Sequence, residues 1–198
     1  LRDYPEAYDF LGDILNRRER TDELAAYIRG ALNDAADVVA QVPPDQRPKV
    51  YYAEQPDGLA TENATSYHTA LLNVVGDVNV HRGLSAKSEN LGYEKLSIET
   101  IMTYNPDFIL AYDKMFYQTI YQSPLWQNIK AVRNQKVLWI PRGPYNWFDR
   151  PPGFMGGSGL KWLLVNLYPA HYAIDLEGEV AAFYNLFLKT DISREQIH

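Results

Sequence analysis

The sequence predicts an α/β fold: a three-layer αβα sandwich on a mainly parallel sheet, preceded by a long connecting helix. Three observations lead there. Lys49–Ala53, Phe108–Tyr112 and Val137–Ile140 are short runs rich in β-branched and aromatic residues, the composition of strands. Helically periodic stretches separate them, and alternating strands and helices imply a parallel sheet covered on both faces. Ahead of them, Leu24, Ile28, Ala31, Ala35, Val38 and Val42 form one apolar stripe ending at Pro43-Pro44. A helix of that length spans roughly 30 Å, which suits an element joining two bodies.

Each element has a local reason. Asp3 and Pro5 open a first helix, because proline is tolerated in a first turn. Tyr8, Leu11 and Leu15 continue it, and Asn16 stops it. Thr21, Asp22 and Glu23 read as a capped, dipole-matched start to the long helix. After the first strand, Ser66–Val75 reads as a helix closed by Gly76-Asp77, with Val78–Val80 as a short extra strand. Ser97 caps a helix ending at Asn105-Pro106-Asp107, a turn tripeptide that leads into the second strand. Met115–Tyr121, Leu160–Leu167 and Glu179–Leu188 complete the helices. This divides the chain into a helical segment, 1–42, and an α/β lobe, 43–198.

Composition narrows the function. Of the 198 residues 46% are hydrophobic, enough for a real core, and no apolar run approaches the length needed to span a bilayer. A net charge of −6 with no basic face argues against nucleic acid. With no cysteine there is no disulfide, thiolate metal site or cysteine nucleophile. The chain opens at Leu1-Arg2-Asp3 without an initiator Met or targeting signal, so it is expected to be a piece of a longer, processed protein.

Ligands of open parallel sheets bind beyond the carboxyl ends of the strands, which selects three loops: 54–59, 113–117 and 141–152. The third is the most informative. It sets Tyr145, Trp147 and Phe148 between Arg142 and Arg150, among prolines. Aromatic faces supply contact area and guanidinium supplies bidentate charge, so Arg142, Tyr145 and Trp147 fit a large, flat or anionic ligand. Lys114 in the second loop and Arg82, beside His81 after the short strand, are further cationic candidates. The run Gly153–Gly159 lacks the Gly-Lys-Ser/Thr ending of a phosphate loop, and close helix packing explains it. His68, His81, His171 and His198 show no metal-ligand spacing; His68 reads as a packed or surface residue, and His81 as one in reach of a ligand. The loop acids Glu54, Asp57, Glu62 and Asp149 form no convincing pair for acid–base catalysis. Asn63-Ala64-Thr65 matches a glycosylation acceptor.

The order of motifs from Pro43 onward resembles the C-terminal lobe of class III periplasmic solute-binding proteins, the group that carries iron–siderophore, haem, cobalamin and related metal ligands. Ser97-Ile98-Glu99, Asn105-Pro106-Asp107-Phe108-Ile109, Trp126-Gln127 through Lys130-Ala131-Val132, Asn146–Pro152 and Trp162-Leu163 to Tyr168-Pro169 carry the likeness. The resemblance implies one lobe of a bilobal protein, with the long helix between lobes and the N-terminal lobe outside this chain. It implies capture of a metal chelate, a ferric siderophore foremost, or of cobalamin, haem, a nickel chelate or an oxyanion such as molybdate or tungstate. It further implies delivery to the transmembrane subunits of an ABC permease by a monomer in the periplasm or anchored as a lipoprotein. Neither catalysis nor a resident cofactor or metal is expected. By the same resemblance Tyr93 matches an aromatic facing the ligand, and Glu99 an acid that docks on permease arginines. The rival readings are a carbohydrate-active enzyme, a chelatase or other enzyme on a related bilobal fold, and a sensor or adhesion protein.

Overall fold

The computed structural model describes residues 1–83 and 92–193; His198 lies outside them. In chain order the elements are α1 (Tyr4–Leu15), α2 (Arg18–Gln41), β1 (Val50–Ala53), β2 (Ala60–Thr61), a 3₁₀ turn (Tyr67–Thr69) and α3 (Ala70–Val74). Then come β3 (Glu94–Lys95), α4 (Ile98–Tyr104), β4 (Phe108–Ala111), α5 (Lys114–Thr119), α6 (Lys130–Arg133) and β5 (Val137–Trp139). The last are α7 (Gly156–Leu167), α8 (Leu176–Phe183) and a π-helical turn, Tyr184–Leu188. No described helix is long and apolar enough to cross a membrane. The chain divides into two compact units, Leu1–Val42 with Arg142–His198, and Pro43–Pro141. The expected lobe 43–198 is thus shared between them, and residues from Arg142 on pack with the first 42.

The first unit is helical. Asn16 closes α1 in the left-handed conformation at φ 51°, and the Arg17 amide reaches back to the Gly12 carbonyl at 2.9 Å. α2 begins at Arg18, four residues earlier than the sequence suggests. Thr21 is therefore no cap; its hydroxyl donates back to the Arg17 and Arg18 carbonyls at 3.3 and 3.2 Å. Ile28, Ala31, Ala35 and Val38 form the buried stripe of α2 as their spacing predicts, but Leu24 is only half-buried and Ala25 takes its place. The glycine run starts α7, and a Cβ on Gly157 would lie 2.8 Å from Ile28 Cδ1. Here glycine serves helix contact. Phe154, Phe183 and Phe187 stack, and Tyr27 packs against the last two. Lys161 pairs with Glu179 at 2.6 Å while lying over the Tyr27 ring at 5.2 Å.

The second unit holds a parallel sheet in the order β1–β4–β5, with Val50 paired to Phe108 and Ile109 to Val137. The expected strand at 78–80 contributes one parallel bridge, Asn79 to Val50. Tyr51, Ala53, Ile109, Ala111 and Val137 point into a core completed by Ile101, Phe116, Ile120, Trp126, Ile129 and Val132. The alternate residues Tyr52 and Leu110 are also fully buried, as a sheet covered on both faces requires. The α/β class with a parallel sheet is therefore as expected. A two-strand antiparallel pair, β2 with β3, was not legible in the sequence, because two-residue strands carry no periodicity.

Gly58 is the tightest point of the loop after β1. Its φ is +70°, and an added Cβ would fall 2.2 Å from the Phe116 ring. Gly58→Ala should therefore lower unfolding stability by about 3 kcal/mol, summing a left-handed penalty of about 1 and overpacking of about 2. Urea denaturation should show this as a reduced midpoint at unchanged slope.

Candidate ligand-binding and docking surfaces

Beyond β1 the chain turns through Gln55–Leu59. The Glu54 amide donates to the Ala60 carbonyl at 2.8 Å and the Tyr51 hydroxyl to the Gly58 carbonyl at 3.0 Å. Asp57 pairs with Lys95 of β3 at 3.0 Å. Partial burial opposes ionisation of Asp57, but the Leu59 amide and the Lys95 ammonium outweigh it and hold the carboxyl below its ordinary range. Tyr93, immediately before β3, is 54% exposed, so its ring is available to a ligand. Glu99 lies in the first turn of α4, whose cap is Ser97 accepting from the Thr100 amide at 3.2 Å. Its own amide and the Ser97 hydroxyl keep the exposed Glu99 carboxyl below its ordinary range, and so charged at neutral pH. Tyr93 and Glu99 thus flank one short strand.

Beyond β4, Asp113 caps α5 by accepting from the Phe116 amide at 2.9 Å. Lys114 is exposed at the first position of that helix, with its ammonium 5.5 Å from the centre of the Trp139 ring. Tyr117 stacks on the same indole at 6.2 Å. Trp139, which sequence reasoning took only as a strand residue, is therefore the platform that positions Lys114.

Beyond β5 the chain enters the first unit. Arg142 and Tyr145 are exposed, Tyr145 by 54%. Trp147 departs from expectation: it is buried at 5% exposure, and its indole N–H donates to the Gly143 carbonyl at 2.8 Å. The Tyr184 hydroxyl donates to the same carbonyl. Trp147 therefore braces the loop and does not project as a contact residue. Buried Asn146, not singled out in the sequence, accepts the Phe148 and Asp149 amides at 2.7 and 3.0 Å. An Asn in a turn-rich loop can accept the backbone amide two residues on, as in an Asx turn, and that propensity is the one signal that marks it.

Arg82 is also not where it was expected. It pairs with Asp77 at 2.6 Å and borders a depression of about 560 Å³ that Arg47, Lys49, Asp77 and Tyr104 also line. Lys49 directly precedes β1, so this depression belongs to the amino end of that strand, away from the ligand-side loops of the unit. His81 is fully buried with both ring nitrogens engaged, so it faces no ligand. His68 is packed, at 8% exposure. Among the described residues no three His, Cys, Asp or Glu side chains converge as a metal site. Asn63 is 5% exposed, and its side-chain oxygen accepts from the Thr65 amide and hydroxyl at 2.8 and 2.6 Å. The apparent glycosylation acceptor is thus consumed in a buried turn.

The second unit is thus a parallel sheet carrying a Lys–Trp pair and a capped, charged helix start on its connections, and the periplasmic binding protein family matches residues 3–142. The chain belongs to that family. Periplasmic binding proteins are non-enzymatic transport components. Among solved structures, an ABC transporter solute-binding protein from Sulfurospirillum deleyianum superposes with a TM-score of 0.91 at 37% identity, covering 98% of this chain and 59% of that one. A periplasmic solute-binding protein from Veillonella parvula gives 0.80 at 27%, covering 100% and 59%. The molybdate-binding protein MolA of Haemophilus influenzae is 27% identical over 190 residues, 93% of this chain and 51% of its own length. The Fe(3+)-citrate-binding protein YfmC of Bacillus subtilis is 26% identical over 72% of this chain and 44% of its own length. The chain thus spans about half the length of these curated relatives.

The Asp57–Lys95 pair is largely solvated, which limits its worth to under about 1 kcal/mol. Because the folded-state pKa of Asp57 is depressed, its contribution is present above the unfolded value and lost as pH falls through the folded one. Asp57→Asn should be slightly less stable than the wild type at pH 7, and the two should converge in acid. Paired thermal melts from pH 7 to pH 2 measure this.

Proposed function

We propose that the protein is the solute-binding component of an ABC importer, working outside the cytoplasmic membrane. In this reading it captures an anionic, metal-containing solute and presents it to the permease. Family membership supports the binding role, and the exposed Arg142 and Tyr145 after β5 are the observation that carries the ligand class. A guanidinium beside a rigid aromatic recognises a delocalised anion by paired hydrogen bonds and surface contact. Tyr93 and Lys114 are the further proposed ligand contacts. Glu99 is the proposed permease contact: an exposed charged acid at a capped helix start suits an arginine on a partner.

Among anions of this kind, a molybdate-class oxyanion draws the wider support, because MolA aligns with 93% of this chain and YfmC with 72%. An iron chelate, including the ferric siderophore expected from the resemblance, is the second reading, favoured by YfmC. The two separate in one experiment. Calorimetric titration of the intact protein with sodium molybdate and with ferric citrate should give tight binding for one of them. Arg142→Ala should weaken that binding at least about tenfold, the worth of a charge-assisted hydrogen bond. Binding of neither anion, or unchanged affinity in Arg142→Ala, would remove the ligand assignment.

The docking role separates from capture. Glu99→Lys in the intact protein should leave solute affinity unchanged while reducing uptake by its permease at least about tenfold, because the reversed charge repels the arginine it should meet. Normal uptake by that variant would refute the role.

A further inference from the structure

His81 is a fully buried histidine whose every polar atom is engaged within the second unit. Its amide donates to the Asn79 side chain at 3.0 Å, and its carbonyl accepts the Ala64 amide at 2.9 Å. Of the ring atoms, Nε2 lies 3.2 Å from Glu94 Oε2 and Nδ1 lies 3.0 Å from the Tyr104 hydroxyl. Glu94 opens β3, next to Tyr93, and sits three residues before the Ser97 cap; Tyr104 is the last residue of α4. One imidazole therefore grips the stretch carrying Tyr93 and Glu99 at both of its ends.

We infer that His81 is the positioning residue of residues 93–104, fastening the ligand-side Tyr93 and the docking Glu99 to the sheet as one body. The roles of Tyr93 and Glu99 in this inference rest on the proposed function above. The chemistry suits a fixed brace. A carboxylate only accepts, so a neutral His81 carries its proton on Nε2 and Nδ1 accepts from the Tyr104 hydroxyl. Burial, then the Glu94 charge, raises the Tyr104 pKa, so the phenol stays a protonated donor. The remaining ties run the same way: the Leu96 amide donates to the Leu59 carbonyl at 2.8 Å, and β3 pairs with β2. Without the imidazole those backbone bonds would hold only the amino end of the stretch, and the far end of α4 would rest on the packing of Ile101 and on the Asp107–Lys49 bonds three residues beyond it.

Hydrogen exchange read by mass spectrometry tests this through the two partners, which spares the buried ring. Tyr104→Phe and Glu94→Ala should each speed exchange at the Leu96 and Ile101 amides by about fivefold, the effect of one lost hydrogen bond on local opening. Glu94→Gln should restore wild-type exchange, because its amide oxygen still accepts from Nε2. Amides of α2 should not change. Exchange rising equally throughout the chain, or unchanged at Leu96 and Ile101, would overturn the inference. In the intact protein, uptake should fall in Tyr104→Phe and in Glu94→Ala, and return to the wild-type level in Glu94→Gln. Faster local exchange with undiminished uptake in Tyr104→Phe would overturn the coupling to docking. Glu99→Lys in the same assay shows separately whether the docking reading itself fails.

Discussion

The second unit depends on how β4 is brought into register with β1. Asp107 does this. Its carboxylate accepts the Lys49 amide at 2.8 Å, and the amides of Asp107 and Phe108 both donate to the Lys49 carbonyl. Lys130 closes the bracket from α6 with an ion pair of 2.5 Å. With the amino ends fixed level, Val50 to Ala53 pair in order with Phe108 to Ala111, and the loops that follow both strands emerge together. A one-residue slip would move Ile109 and Ala111 off the face they share with Tyr51 and Ala53. The Asn-Pro-Asp turn thus has a physical purpose: Asn105 stops α4 in the left-handed conformation, proline prevents its continuation, and Asp107 sets the register.

In the loops, polar and aromatic residues divide into those buried in bracing the chain and those exposed at its surface. Asn146, Trp147 and Tyr184 spend their hydrogen bonds on loop backbone, and this leaves Arg142 and Tyr145 displayed on a braced segment. Lys114 over Trp139 follows the same logic: the indole limits where an exposed cation can be. Such bracing lowers the entropy that a ligand would otherwise have to remove on binding. The same economy governs β3. A strand of only two residues has little stability of its own, yet it carries Tyr93 on one side and leads to Glu99 on the other. Its position is secured by a buried imidazole and by the ion pair of Lys95 with Asp57.

Much of this was legible residue by residue. The three sheet strands, the stop at Asn16, the apolar stripe of α2, the Ser97 cap and the packing role of the glycine run all follow from local rules, because their causes lie within a few residues of their effects. The failures share one feature. Trp147 and Tyr145 stand two positions apart in one proline-rich loop, and nothing in the order of residues separates a brace from a displayed ring. Arg82 was read from its place after a short strand, but an Asp five residues earlier and the edge of β1 decide where it lies. Asn63 satisfies a modification pattern in sequence while its side chain is spent on Thr65.

By itself, the sequence determined the α/β class, the parallel order of the chemistry-bearing loops, the family and the absence of any thiol chemistry. Periodicity, capping and composition are local properties, and they survive without knowledge of contacts. Only the tertiary structure decided which side chains are displayed. Burial and hydrogen-bond partnership depend on residues far away in the chain, as when His81, which by sequence alone could reach a ligand, meets Glu94 and Tyr104 and becomes part of the frame.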